Sequence, residues 1–136
     1  NGKPGSHAST FGGNPIACAA ALETIALLEE SLMANATKVG GRLMSGLKML
    51  ASKHRSIGDV RGVGLMTAID LVKDRETREP DSELREAAVL AAFHKGLLLL
   101  GCGPSAIRFC PPLVVDETQV DTCVRIVDEV LTELGR

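Results

Sequence analysis

Between Lys53 and Ile57 the hydrophobic pattern of this chain changes period, and that change limits the folds open to it. Upstream, Leu32, Ala36, Val39, Leu43, Leu47 and Leu50 recur every three or four residues, which draws one apolar stripe down a helix. Downstream, Val63, Leu65, Thr67, Ile69 and Leu71 alternate with Gly64, Met66, Ala68 and Asp70, placing the two sets on opposite faces of a strand. A chain that passes from helical to strand period must bury its helical stripe against a sheet.

The flanking residues punctuate that plan. From Asn14 to about Glu30 the sequence is rich in Ala, Leu and Glu, all good helix formers. A second helix is expected from near Ser31 to Lys53, either joined to the first as one bent helix or split from it near Glu30 to Asn35. Gly40 and Gly41 each weaken that helix by about 1 kcal/mol relative to Ala, so close packing against a neighbour is the use expected of them. The period-two segment from Ile57 to Val72 reads as a strand, with a shorter one near Val60. Lys73 to Glu79 holds six charged residues and one Thr before Pro80, the composition of a solvated loop.

Asp81 or Ser82 caps a helix running through Lys95, and Gly96 stops it in the left-handed position after the last turn. Leu97 to Leu100 reads as a short strand, Gly101-Cys102-Gly103-Pro104 as a turn, and Ala106 to Cys110 as a strand ended by Pro111-Pro112. Asp116 and Gln119 form a capping-box pattern for a last helix, whose apolar face is Val120, Cys123, Val124, Val127, Leu131 and Leu134. The expected fold class is α+β: long N-terminal helices followed by a small, predominantly antiparallel sheet covered by helices.

Composition excludes several function classes. A net charge of −2 supplies no field for nucleic acid or an anionic membrane. Three Phe with no Trp or Tyr leave few base-stacking platforms. No apolar run approaches the roughly 18 to 20 residues of a membrane span, and no signal peptide is recognisable. Cys18, Cys102, Cys110 and Cys123 show no C-x-x-C spacing, so neither zinc nor any other metal site is expected. Set among Ala, Val, Ile and Phe, they read as small buried hydrophobes in a reducing, cytoplasmic compartment.

The chemistry concentrates in His7-Ala8-Ser9-Thr10-Phe11-Gly12-Gly13-Asn14-Pro15. Asn is a favoured helix N-cap and Pro fits the first helical position. The glycines let backbone approach a ligand, and first-turn N–H groups attract anions. On local chemistry alone the run suits either a well-capped helix or a phosphate or carboxylate site. Arg108, inside the apolar strand Ile107-Arg108-Phe109, suits a structural salt bridge, an edge-strand charge facing water, or a ligand carboxylate. His54 and His94 stand at helix ends, where a cation suits the dipole. Arg61, in Asp59-Val60-Arg61-Gly62-Val63-Gly64, lacks the pattern and the following helix of a phosphate loop.

Three ordered segments resemble the class III aminotransferases, fold-type I enzymes dependent on pyridoxal 5'-phosphate. They are Gly5 to Leu22, Gly58 to Met66, and Gly101-Cys102-Gly103 through Ile107-Arg108-Phe109-Cys110-Pro111-Pro112-Leu113. The subgroup most similar in flavour is the 4-aminobutyrate aminotransferases, with acetylornithine or ornithine aminotransferases next. The resemblance implies that residues 1–30 are the end of a large cofactor domain and its linking helix, and that residues 31–136 are the small C-terminal α/β domain of a longer enzyme. It implies a homodimer with shared active sites, Ser9 and Thr10 reaching the phosphate of the partner subunit's cofactor, and Arg108 binding a substrate carboxylate. The substrates implied are a small amino donor, an ω-amino acid such as 4-aminobutyrate, and a 2-oxo acid such as 2-oxoglutarate. In ω-amino-acid subgroups Arg108 would engage the α-carboxylate of the 2-oxoglutarate or glutamate half-reaction. The family's cofactor-linking lysine lies upstream in a context that Asn1-Gly2-Lys3-Pro4-Gly5 does not reproduce. No catalytic residue is therefore expected in this chain, and by itself it is expected to act at most as a folded interaction module.

Overall fold

The computed structural model describes residues 9–135. It divides into two compact units, one ending at Met33 and one beginning at Ala34.

In the first unit, helix α1 (Pro15–Leu27) starts at Asn14, whose side chain accepts from the Ala17 N–H at 3.0 Å, with Pro15 at the first helical position. Backbone pairing then widens to a π-helical segment, Leu28–Leu32, before helix α2 (Met33–Lys53). The two expected helices are thus joined by a π segment. None of the α1 residues is buried within the described chain.

The second unit is a four-stranded antiparallel sheet, β1 (Ile57–Val63), β2 (Met66–Leu71), β3 (Leu100–Cys102) and β4 (Ala106–Phe109), in the order β1-β2-β4-β3. Helix α3 (Ser82–His94) lies between β2 and β3 in sequence, and α4 (Glu117–Leu134) closes the chain. The core joins Val39, Leu43, Leu47 and Leu50 of α2 to Ile69 and Leu71 of β2, Ile107 and Phe109 of β4, and Val120, Val127 and Leu131 of α4. The α2 stripe is therefore the one its spacing predicts. On α4, Cys123 and Leu134 lie at the margin, and Ile126 and Val130 join the buried set.

Two strand readings are corrected. The long period-two segment is a hairpin, β1 and β2 joined at Gly64-Leu65, and Val63 on its outer face is 87% exposed. Gly64 at φ +56° makes the turn, a conformation L side chains avoid. Likewise β3 begins at Leu100, leaving Leu97 to Leu99 outside the ladder. Pro111 and Pro112 have no N–H to donate, so pairing along β4 ends at Phe109.

The caps match their sequence signals. Asp81 accepts from the Leu84 N–H at 2.9 Å, Gly96 takes φ +85°, and Asp116 and Gln119 complete the capping box. The charged loop is exposed, yet Arg75 reaches out of it to donate to the carbonyls of Ala51, His54, Arg55 and Ile57, closing the C-terminus of α2. Gly40 lies so close to Gly64 that a Cβ would stand 2.3 Å from its carbonyl carbon, whereas Gly41 faces open space. Among the described residues no helix is long and apolar enough to cross a membrane.

Candidate functional site

Ser9 opens a tight turn over Thr10 to Gly13 that delivers the chain to α1. The Gly12 N–H donates to the Ser9 carbonyl at 3.3 Å, and Asn14 Nδ2 donates to the Phe11 carbonyl at 2.7 Å. Gly13 adopts φ +79°, the left-handed region that favours glycine. Ser9 and Thr10 are exposed. Among the described residues no hydrogen bond engages their hydroxyls, which stand just ahead of the first turn of α1. His7 and Lys3 lie outside the described residues.

Arg108 belongs to the second unit. It stands on β4, opposite Ala68 of β2 and Leu100 of β3, so its strand is interior and the edge-strand reading does not apply. Ile107 and Phe109 on either side are buried while Arg108 is exposed, as strand alternation requires. Among the described residues no carboxylate pairs with it. It lines a cavity of about 320 Å³ with Leu97, Leu99, Phe109, Pro111 and Val115.

Several other charged groups have partners among the described residues. The Arg61 guanidinium donates to Asp59 at 2.8 Å and to Asp70, and these hydrogen bonds, first that to Asp59 and then that to Asp70, raise its pKa. The Gly-rich segment around Arg61 is accordingly a hairpin strand. Lys38, Lys53, Lys73 and Lys95 form ion pairs at 2.7 Å with Glu117, Asp128, Glu79 and Glu133, and Lys48 is exposed on α2. His54 Nε2 lies 2.6 Å from Asp128 Oδ1, so it closes the α2 end by side-chain pairing. No described lysine sits in an apolar pocket of the kind that activates an amine.

The four cysteines are free. Cys18 and Cys110 are exposed rather than buried, because α1 has no cover within the described chain and Cys110 lies beyond the last paired residue of β4. Cys123 is largely enclosed, and burial pushes its thiol up to about 11. Among the described residues no three His, Cys, Asp or Glu side chains gather as a metal site.

Comparison with known proteins places this geometry. The family description "Aminotransferase class-III" matches residues 1–131. The 4-aminobutyrate aminotransferase GabT of Escherichia coli (strain K12) is 41% identical over 133 residues, covering 96% of this chain and 31% of that protein. An acetylornithine aminotransferase of Nostoc sp. is 40% identical over 131 residues, covering 95% of this chain and 29% of that protein. A Bacillus anthracis aminotransferase crystal structure superposes with a TM-score of 0.87 at 33% identity, over 94% of this chain and 30% of its own. The chain spans about a third of the length of the relatives it matches. With three ordered motifs, the antiparallel sheet of a fold-type I small domain and these matches in agreement, the chain belongs to the class III aminotransferase family.

Proposed function

We propose that this chain is the C-terminal part of a pyridoxal-phosphate-dependent aminotransferase that moves the amino group of an ω-amino acid, 4-aminobutyrate or a close analogue, to a 2-oxo acid such as 2-oxoglutarate. The observation that carries the reading is Arg108: an exposed guanidinium on an interior strand, at a cavity, with no carboxylate partner among the described residues, in a family of aminotransferases. Its planar fork holds a substrate carboxylate in one orientation, which fixes where the rest of the substrate extends.

Ser9 and Thr10 fit the cofactor's phosphate, since they present two unengaged hydroxyls beside a helix N-terminus. In this reading they serve the partner subunit's cofactor in a homodimer. When bound, pyridoxal phosphate supplies the electron sink for the chemistry at the amino-bearing carbon. The lysine that links it comes from the longer enzyme, so this chain alone does not turn over. The exposed Ile16, Leu22 and Ile25 of α1 support residues 1–30 as the closing part of a cofactor domain, with residues 31–136 as the small domain. The free thiols suit a reducing, cytoplasmic setting.

In the full-length enzyme, Arg108→Ala should raise KM for the carboxylate substrates about 10- to 100-fold, the worth of a charge-assisted pair, with cofactor content unchanged. Unchanged KM for every carboxylate substrate refutes the assignment. The acetylornithine-type relatives favour a second reading of the donor, and a higher kcat/KM with N-acetylornithine than with 4-aminobutyrate would select it. The isolated chain mixed with pyridoxal phosphate should show no Schiff-base absorbance that survives dialysis, whereas a stable aldimine trapped by borohydride at Lys3 after dialysis would overturn the missing-lysine argument.

A further inference from the structure

A groove of about 320 Å³ lies between α3 and β3; Leu98 and Leu99 line both it and the Arg108 cavity, whereas Arg85, Leu90, Phe93 and Gly101 line the groove and not that cavity. At one end is Arg85, with a side chain only 19% exposed and an enclosed Nε–H that meets no acceptor. The carboxylate paired with it is that of Glu86, 3.2 Å from Nη2, and Glu86 is itself mostly in solvent. A guanidinium so far removed from water ordinarily has a close carboxylate. Its position compounds the deficit, because Arg85 sits in the first turn of α3, where the helix dipole is positive and favours an anion.

The groove is also shaped around it. At Gly101 of β3 a Cβ would lie 2.6 Å from Arg85 Nη1 and 2.9 Å from its Cδ, so the absence of a side chain is what lets the arginine lie against the strand. The walls are apolar: Leu90, Phe93 and Leu98 are all exposed beside it, Leu98 by 79%. Positive potential at one end and apolar surface along the length are complementary to a single class of small molecule.

We propose that this groove is a second carboxylate site, taking a small apolar monocarboxylic acid whose carboxylate is held end-on by Arg85 and whose hydrocarbon body lies along Phe93 and Leu98. Glu86, whose side chain is mostly in solvent, gives up Nη2 to the acid's carboxylate when the acid binds.

The probe is 4-phenylbutyrate, titrated into the ¹⁵N-labelled 136-residue chain, with 4-phenylbutyramide as the uncharged control. The acid should produce saturable shifts at Phe93, Leu98 and Gly101 but not at Ala68, the cross-strand neighbour of Arg108. The amide should bind at least tenfold more weakly. Arg85→Gln should weaken the acid tenfold or more, and Leu98→Ala, at a surface position that does not carry the fold, should weaken it severalfold. Absence of saturation, equal binding of acid and amide, shifts centred on Arg108, or unchanged affinity in Leu98→Ala would each overturn the site. Groove shifts that follow protein concentration instead of acid would overturn it in favour of a second copy of the chain. Should Arg85→Gln lose its amide dispersion, the acid-to-amide ratio and Leu98→Ala decide the question alone.

Discussion

Gly40 and Gly41 are chemically identical neighbours on α2, yet replacing each with Ala should move stability in opposite directions. At Gly41 a Cβ meets nothing within 4 Å, so the substitution should gain the helix-propensity difference, about 1 kcal/mol. At Gly40 the same Cβ would stand 2.3 Å from both the carbonyl carbon and the oxygen of Gly64, and 2.8 Å from its Cα. Carbon atoms in contact normally stand roughly 3.5 Å or more apart, so α2 and the hairpin must separate by about 1 Å. The obstacle is backbone, held at φ +56° in a tight turn, and cannot rotate aside as a side chain would.

Overpacking of this kind costs about 1–3 kcal/mol, with the larger values where the neighbour is rigid. Set against the same propensity gain, Gly40→Ala should lose about 2 kcal/mol net, and the two variants should differ by about 3 kcal/mol. Urea unfolding followed by far-UV circular dichroism reads this directly. With a slope of about 1–3 kcal/mol per molar urea, the midpoints should separate by roughly 1–3 M. Equal midpoints for the two variants would refute the close seat of α2 on the β1-β2 turn.

Three further outcomes are expected. Thr67 is 2% exposed and its hydroxyl has no partner, so Thr67→Val should stabilise the chain by about 1 kcal/mol, and a lower urea midpoint would contradict this. Hydrogen bonds from Lys53 and then His54 hold the Asp128 carboxyl below its ordinary range. A depressed folded pKa contributes stability above the unfolded value near ~4 and loses it as pH falls through the folded one. Asp128→Asn should therefore be less stable than the parent at pH 6, and the gap should close as the pH falls through the lowered folded pKa, as measured by urea midpoints across pH. Iodoacetamide at pH 8 should modify the exposed Cys18 and Cys110 ahead of Cys123, whose buried thiol at about 11 stays protonated; peptide mass mapping that finds Cys123 alkylated first would oppose that order.

The features legible in the sequence are those whose partners are a few residues apart. Asn14 caps α1, Asp116 and Gln119 bond reciprocally, and Gly96 turns out of α3, all interactions closed within one turn of chain. The α2 stripe was legible because any helix with that spacing has only one apolar face. The three motifs were legible as a resemblance, which covers the order of segments but leaves the donor acid open, since 4-aminobutyrate and acetylornithine relatives match almost equally.

Less legible were the positions where a distant group decides. Val63 continues the alternation of Leu65 and Thr67 on paper, but the turn at Gly64-Leu65 reverses the chain and leaves Val63 outside. Arg75 looks like one more charge in a solvated loop until the end of α2 comes within reach of its guanidinium. Leu97 to Leu99 has strand composition, yet the ladder to β4 begins only at Leu100, opposite Arg108.

By itself, then, the sequence determined the element types, their caps, the core stripe of α2 and the family, because each rests on short-range periodicity or on residues adjacent in the chain. The tertiary structure alone decided that Arg108 lies on an interior strand, that Gly40 rather than Gly41 is the seat of the hairpin, and that Arg85 is laid over Gly101. Each of these depends on which backbone comes within a few ångströms of a residue many positions away, and neither periodicity nor capping chemistry carries that distance.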